Sequence, residues 1–134
     1  MAYDTKKVSV AFLIKNKGQY LYQKRIHTGS FDGFYMLPGG HVDSGESVLS
    51  AARRELFEEL GINAEQKDFI FKMVHPMKTH VVFFFEVQKY TGQIVNKEPE
   101  KHSDISFLPI THPEIHPMVK LEIQSILQQH SFFE

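Results

Sequence analysis

Residues 40–62 read GHVDSGESVLSAARRELFEELGI, and the acidic residues near the end of this stretch determine how the chain is interpreted. If residues 47–60 form a helix, Glu55, Glu58 and Glu59 stand at positions i, i+3 and i+4 and share one face. Like charges at i, i+4 destabilise an isolated helix by roughly 0.2–0.5 kcal/mol per pair. The last turn of a helix also favours cations, because the helix dipole is negative there. The cluster therefore indicates a functional site.

A bound cation would reverse the sign of this electrostatic penalty. Mg²⁺ is a hard cation that proteins bind through oxygen atoms, and carboxylates supply such ligands. Mn²⁺ is the alternative metal. A structural Ca²⁺ site fits the sequence less well, because the stretch lacks the closely alternating oxygen ligands of a calcium loop. The carboxylate cluster thus predicts a site for Mg²⁺ or Mn²⁺.

The stretch is similar to the signature of the Nudix hydrolases, G-x5-E-x7-R-E-U-x-E-E-x-G-U, where U is a bulky aliphatic residue. Every fixed position is filled, by Gly40, Glu46, Arg54, Glu55, Leu56, Glu58, Glu59, Gly61 and Ile62. The resemblance extends upstream through residues 21–39 and is looser after the signature. It implies a MutT-like Nudix hydrolase with an α/β/α sandwich around a central mixed β-sheet. The signature itself would form a strand, a loop and a helix.

Composition limits the number of domains and the class of partner. The chain has 134 residues, 42% of them hydrophobic, which is enough for one buried core and too few for two ordinary domains. We therefore expect a single Nudix hydrolase domain over residues 1–134. The net charge of −1 provides no basic surface for a nucleic-acid polymer, so a small anionic substrate is expected instead.

Two further kinds of protein are not expected from the sequence. The absence of cysteine excludes a disulfide framework and a thiolate metal site. No window approaches the roughly 18 consecutive apolar residues of a membrane span, and the first 18 residues lack a small-residue cleavage pattern. The sequence therefore predicts a soluble cytoplasmic protein that does not act at a membrane.

Apolar runs separated by turn residues predict a mixed sheet with helices on its faces. The first two strands, at 8–14 and 20–25, are expected to form a hairpin around residues 16–18. Further strands are predicted at 34–37, 69–74, 80–89 and 105–108, with 93–95 able to pair back. The second of the long strands, 80–89, is too apolar at 81–85 to lie at an exposed edge. Pro38, Gly39 and Gly40 are expected to end a strand and lead into the helix.

Two helices are predicted from periodicity and end signals. Residues 47–60 carry one apolar stripe beside the acidic face, made of Leu49, Ala52, Leu56 and Leu60. Gly61 is a natural stop for this helix. Residues 118–129 form the second helix, because apolar residues recur there with helical spacing.

Hydrolysis of a phosphoanhydride requires water as nucleophile, neutralisation of phosphate charge and positioning. Carboxylate-held Mg²⁺ provides the last two, and a glutamate can accept the proton of water. The Nudix resemblance implies that Glu58, Glu59 and the backbone carbonyl of Gly39 are metal ligands. Glu55 is implied as either a further ligand or the general base.

Arg54 is expected to support the carboxylates rather than to clamp phosphate, because Glu46 precedes the helix and can pair with it, and Glu58 lies four residues further on. The resemblance implies the same arrangement. Gly40 is expected to let the loop turn tightly and bring the backbone near the metal; a merely flexible turn is the alternative.

The remaining candidates lie outside the signature. In some relatives a glutamate from the loop matching residues 96–103 completes the metal site; here Glu98 is preferred over Glu100, and a solvated charge run is the alternative. Lys24 and Arg25 end a predicted strand and are candidate phosphate ligands, with plain surface charge as the alternative. His80 and Phe83 lie near where relatives build a base pocket, although strand aromatics are more often core residues.

Residues 21–47, LYQKRIHTGSFDGFYMLPGGHVDSGES, resemble the small Nudix enzymes that cleave a nucleoside triphosphate to a monophosphate and pyrophosphate. Those enzymes often carry an asparagine near the final helix that reads the base. The stretch 113–117, PEIHP, has no asparagine, so the resemblance does not extend to recognition of an oxidised guanine.

Two other functions stay open at this point. A nucleoside diphosphate linked to another group, such as ADP-ribose, is the alternative substrate, because Pro76 lies close to where relatives of that kind place a proline. A non-catalytic nucleotide-binding module is the alternative from another class, but such modules usually lose the acidic cluster that is intact here. Homodimer formation is compatible with the resemblance. Attack on the α or the β phosphorus is equally compatible.

Overall fold

The computed structural model describes residues 7–132, and the secondary structure follows the predicted order with several shifted ends. The strands are β1 Lys7–Leu13, β2 Lys15–Asn16, β3 Gln19–Arg25, β4 Tyr35–Met36, β5 Gly39–His41, β6 Phe69–Pro76, β7 His80–Val87 and β8 His102–Leu108. The helices are α1 Val48–Leu60 and α2 Pro117–Phe132, with a single 3-10 turn at Gln66–Asp68. The expectations for residues 1–6 and 133–134, including part of the amino-terminal segment, lie outside the described residues. A single domain over 1–134 stays a prediction.

The first sheet is mixed, with strand order β5-β1-β7-β6. β1 and β7 run parallel, whereas β5 pairs antiparallel with β1 and β6 pairs antiparallel with β7. β7 is covered on both edges by neighbouring strands, as its apolar run at 81–85 predicts.

Alternating side chains along β1 explain why a helix covers each face of this sheet. Val10 and Phe12 join the core cluster that contains Leu56 and Leu60 of α1. Ala11 and Leu13 join a second cluster, which contains Val119, Ile123 and Ile126 of α2. The predicted α/β class is confirmed, with the mixed sheet between two helices.

A second sheet is built around β3, which pairs with β2, β4 and β8. The chain passes from the first sheet to the second at Ile14, whose carbonyl accepts a 2.9 Å hydrogen bond from the amide of Leu21. Lys17 and Gly18 form the turn, both with positive φ, at 51° and 80°. This pair of angles fits the tight hairpin turns that follow strand twist. The predicted hairpin therefore forms between β2 and β3, while β1 pairs elsewhere.

Helix α1 begins and ends as its sequence predicts. Ser47 is the N-cap, and its side chain accepts a 3.1 Å hydrogen bond from the amide of Ser50. Gly61 takes the left-handed conformation with φ 72°, and its amide donates to the carbonyl of Phe57 at 2.9 Å. The face buried against the sheet consists of Ala51, Ala52, Leu56 and Leu60, with Leu49 packed beside it. The acidic residues consequently lie on the remaining surface of the helix.

The expectation that Gly39 and Gly40 end a strand is wrong, because both belong to β5 and pair with Ala11 and Val10 of β1. A Cβ on Gly39 would meet the backbone carbonyl of Val10. The glycine therefore allows an unusually close approach between the two strands, and its breaker character is overridden by tertiary pairing.

Residues 93–95 do not form the optional strand; Thr91 instead makes an isolated bridge with Asn63. Within residues 7–132, no helix combines the length and the apolar character that a membrane span requires.

Candidate active site

A cleft of about 360 Å³ lies where α1 and β5 face β3, β4 and the loop that precedes β8. The predicted metal ligands all line it: Gly39, Glu55, Glu58, Glu59 and Glu98. Gly40 and Arg25 line it as well. The fold therefore brings residues from four separate parts of the chain to one surface.

Arg54 holds the carboxylates of the signature in place. Its Nε and Nη2 donate to the two carboxylate oxygens of Glu46 at 2.8 and 2.9 Å, which is the bidentate geometry that guanidinium favours. Its Nη1 donates to Glu55 at 2.8 Å and to Glu58 at 3.0 Å. Nη2 also donates to the carbonyl oxygen of His41 at 2.9 Å. Arg54 thus joins the helix, the preceding loop and β5.

Glu46 is the fixed partner of this network. The hydrogen bonds from Arg54 and, secondarily, from the backbone amide of Asp43 lower the pKa of Glu46 to about 2. The Asp43 amide donates to Glu46 at 3.0 Å. Glu46 is therefore a permanently charged anchor for Arg54, and both predicted contacts of Arg54, with Glu46 and Glu58, are present.

Glu59 is the carboxylate whose environment is least favourable to charge. Burial, together with the nearby charges of Glu98 and Glu55, raises the pKa of Glu59 to about 8, whereas the amide of Gly39 acts in the opposite direction. That amide donates to Glu59 at 3.4 Å, which is a long hydrogen bond. A cation at this position would offset both the burial and the like charges.

Glu55 lies close against the backbone of Gly40. A Cβ at Gly40 would overlap the Glu55 carboxylate, so no other residue fits without moving that group. Burial raises the pKa of Glu55, and the hydrogen bond from Arg54 partly opposes the shift. The glycine therefore serves to pack a carboxylate against the strand, which is a more specific role than the flexible turn considered above.

Glu98 is positioned by its own loop. Its backbone carbonyl accepts hydrogen bonds from the amides of Lys101 and His102, at 2.9 and 3.0 Å. Its carboxylate lies 3.1 Å from the ammonium of Lys101. Asn96 closes the loop, accepting from the Glu98 amide at 3.2 Å and donating to the His102 carbonyl at 2.8 Å.

The candidate substrate-binding residues do not all lie in the cleft. Arg25 lines the cleft and donates to the hydroxyl of Thr28 at 3.4 Å. Lys24 points elsewhere and pairs with Glu114 at 2.7 Å. His80 and Phe83 are not among the residues that line the cleft; His80 lies 2.8 Å from the Thr79 hydroxyl, and Phe83 packs against the α1-side core.

Several residues that line the cleft were not predicted from the sequence, among them Gln23, Lys101 and His102. Gln23 and Arg25 share a face of β3 with Leu21, which lies in the core, so strand alternation contained a signal for Gln23. His102 lies opposite Arg25 in the pairing of β3 with β8. Burial lowers the pKa of His102. No local pattern marked Lys101 or His102, because their position depends on that pairing.

The donor set fits a hard divalent cation. All the acidic candidates offer oxygen, and the burial of like-charged groups in one cleft is relieved by a bound cation. Within residues 7–132, no three acidic or histidine side chains already form a complete ligand cluster. Glu55 and Glu58 are both hydrogen bonded to Arg54. Each contact uses one oxygen of the carboxylate, so the other oxygen is left for a metal ion while Arg54 holds the group in place.

The sequence is similar to those of known proteins. The family model of the NUDIX domain matches residues 5–128. The 8-oxo-dGTP diphosphatase of Haemophilus influenzae is 33% identical over 102 residues, covering 73% of this chain and 75% of that protein. Phosphatase NudJ of Escherichia coli K12 is 32% identical over 84 residues, and the match spans 60% of this chain and about half (54%) of NudJ.

A solved structure agrees with the fold described above. The MutT NUDIX hydrolase from Burkholderia pseudomallei superposes with a TM-score of 0.79, covering 90% of this chain and 97% of that one at 24% identity. At this identity the likeness concerns the fold alone.

Proposed function

Because the chain belongs to the Nudix family and is a hydrolase of phosphoanhydride bonds, we propose that it is a Mg²⁺-dependent pyrophosphohydrolase that cleaves a nucleoside triphosphate to a monophosphate and pyrophosphate. The observation that carries the proposal is the convergence of Gly39, Glu55, Glu58, Glu59 and Glu98 on one cleft. Mn²⁺ is the alternative metal. Homodimer formation and a cytoplasmic location stay predictions.

The residues of the chain divide the chemical tasks between them. Glu58, Glu59, Glu98 and the Gly39 carbonyl would hold the metal, which supplies charge neutralisation on the phosphates and makes water more acidic. Glu55 lies against the backbone of Gly40, where it can serve as a ligand or accept the proton of the attacking water. Arg54 orients Glu55 and Glu58 through Nη1. Arg25 is the cleft cation proposed to contact the phosphates.

The two roles of Glu55 lead to different kinetics. As a general base, Glu55→Gln would lower kcat and leave the Mg²⁺ concentration needed for half-maximal rate unchanged. As a ligand, the same change would raise that concentration.

Similarity to relatives guides the choice of substrates without deciding it. The relative from Haemophilus influenzae is named for 8-oxo-dGTP, so this nucleotide belongs in any substrate panel. Residues 113–117 contain no asparagine, and the proposal therefore names a nucleoside triphosphate rather than an oxidised one.

Product analysis tests the proposed reaction. The protein is incubated with the standard nucleoside triphosphates, 8-oxo-dGTP and ADP-ribose, with Mg²⁺ or with a chelator, and the Glu59→Gln variant serves as the blank. Monophosphate plus pyrophosphate, formed only with metal, is the expected result. AMP plus ribose phosphate from ADP-ribose would favour the diphosphate-linked alternative. Absence of any metal-dependent product would contradict the proposal and favour a binding module.

A further inference from the structure

Two buried polar atoms in the wall of the cleft have no hydrogen-bond partner within the described residues: Nε2 of Gln23 and Nδ1 of His102. Gln23 is only 2% exposed and His102 only 7%. A third such atom, the hydroxyl of Tyr22, belongs to the core on the α2 side. Two of these three unpartnered groups therefore lie at one place, inside the proposed active site.

An unpartnered buried amide is costly and needs a physical reason, because nearly all buried polar groups in folded proteins are hydrogen bonded. Gln23 stands in the middle of its sheet, paired with Met36 of β4 on one side and Ile105 of β8 on the other. Its neighbour two residues back on the same face is the core residue Leu21. An apolar side chain of similar size would suit that position better for folding alone. A ligand that pairs with the amide would offset this cost.

The chemistry of the two groups indicates which part of a nucleotide they contact. The cleft already contains charged groups suited to the phosphates, in Arg25 and Lys101. A carboxamide is uncharged and presents a donor beside an acceptor, which is the pattern that matches the edge of a nucleobase. The ring nitrogen of His102 supplies one further donor or acceptor. It lies near Gln23, because His102 pairs with Arg25 and Arg25 is two residues further along β3.

We propose that Gln23 and His102 hydrogen-bond the polar edge of the substrate's nucleobase and so determine which nucleotide is preferred. This inference rests on the proposed hydrolysis of nucleoside triphosphates. The side chain of Gln23 makes the primary contact, and His102 selects among bases that offer the complementary group. Neither residue takes part in the chemical step.

The test compares Gln23→Leu with Gln19→Leu, a matched control on the same strand that does not line the cleft. Steady-state kinetics are measured on the standard triphosphates and on the base-free 1,2-dideoxyribose 5-triphosphate. Gln23→Leu is expected to lower kcat/KM for the preferred nucleotide by about 10-fold or more and to reduce the differences between bases. Its kcat/KM for the base-free substrate should be unchanged. Gln19→Leu should behave as wild type on every substrate.

Thermal unfolding separates this role from a structural one. If Gln23 had only a structural hydrogen-bonding role, Gln23→Leu would lower the Tm. We expect an unchanged or higher Tm, because an unpartnered polar group is removed from a buried position. His102→Phe provides a second variant, with a weaker loss of base discrimination and the same indifference toward the base-free substrate.

Three results would overturn the inference: an equal loss on the base-free substrate, which indicates phosphate contact; unchanged base preference in both variants; or a lowered Tm with no change in discrimination.

Failure of the proposed function itself is recognised separately, as wild-type protein inactive on every triphosphate. In that case the affinities of the four nucleoside monophosphates, measured by calorimetry in chelator, replace the kinetics. Affinities that depend on the base in wild type but not in Gln23→Leu would support the inference, and base-independent affinities in wild type would refute it.

Discussion

The two faces of the mixed sheet both bury titratable side chains, but they compensate them in different ways. On the α2 side, the carboxylate of Glu122 lies 2.6 Å from Nδ1 of His75, and the hydroxyl of Tyr35 donates to Asp104 at 2.6 Å. On the α1 side, Glu59 accepts a long 3.4 Å hydrogen bond and faces the like charges of nearby glutamates.

This difference indicates that stabilising polar contacts and candidate functional groups lie on different faces of the sheet. Short, specific partners on the α2 side contribute to folding without any ligand. The cleft on the α1 side instead contains repelling carboxylates and the unpartnered groups of Gln23 and His102, which the proposed metal and substrate would compensate. Substitutions on the two sides should consequently affect different measurements.

The largest effect is expected in the cleft. Glu58→Gln and Glu59→Gln should each lower kcat by about 100-fold or more, because a metal ligand contributes several kcal/mol of charge stabilisation in the transition state. Glu59→Gln should keep or raise the Tm, since a neutral amide replaces a buried carboxylate. Steady-state rates at saturating Mg²⁺ and thermal unfolding check both statements, with the exposed Glu65→Gln as control. Wild-type turnover in both cleft variants would contradict the proposed site.

An intermediate effect is expected at the residue that connects the cleft to the rest of the fold. Arg54→Lys keeps the charge but loses the bidentate contact with Glu46. We expect kcat/KM to fall about 10- to 100-fold, as for other residues that orient metal ligands, and half-maximal activity to need more Mg²⁺. A Mg²⁺ titration measures this. Arg53→Lys is the matched control, because Arg53 is the exposed neighbour on the same helix. An unchanged Mg²⁺ dependence would show that Arg54 does not orient the ligands.

The smallest effect is expected on the α2 side and concerns stability alone. Tyr35→Phe removes the hydroxyl that donates to Asp104 and should lower the free energy of unfolding by about 1 kcal/mol near neutral pH, with kcat/KM unchanged. The exposed Tyr90→Phe is the control. Chemical denaturation of the variant and wild type gives the difference directly. A larger effect on activity than on stability would contradict the separation of the two faces.

The same pair predicts a pH dependence. The hydrogen bond from Tyr35, followed by that from Ser106, lowers the pKa of Asp104 below its ordinary value of 3.8. A lowered carboxyl pKa stabilises the fold above the ordinary value, and this contribution is lost as the pH falls through the folded-state pKa. The stability difference between wild type and Tyr35→Phe should therefore be constant above pH 5 and shrink below about 3.8.

Local signals in the sequence were sufficient for the elements that have strong local causes. The apolar stripe of residues 49–60 and the stop at Gly61 predicted α1, and the continuous apolar run at 81–85 predicted the central position of β7. The residue pattern did not predict β5, because Gly39 and Gly40 act as breakers locally and only the close approach to β1 makes them a strand; a strand at the start of the signature was implied by the Nudix resemblance alone. The change of sheet at Ile14 was missed because alternation identifies a face and not a pairing partner.

The residues of the candidate site likewise divide into those with a local sequence signal and those placed by tertiary pairing. Fixed spacing identified the signature residues, and the structure brings Glu55, Glu58 and Glu59 together with the distant Glu98. Gln23, Lys101 and His102 depend on the pairing of β3 with β8, a contact between distant segments that no local pattern contains. Lys24 and Arg25 were equal candidates by charge. Opposite orientations on one strand separate them, since only Arg25 reaches the cleft.

The passage of the chain between the two sheets limits how the cleft can move. Only Ile14 separates β1 from β2, and only Leu37 and Pro38 separate β4 from β5. The carbonyl of Pro38 is further fixed to the amide of Phe12 at 2.8 Å. Both connections are short, and this hydrogen bond joins the second one to β1, which restricts the separation of the two walls. We therefore expect substrate and product to exchange through rearrangement of side chains and of the loop that carries Glu98.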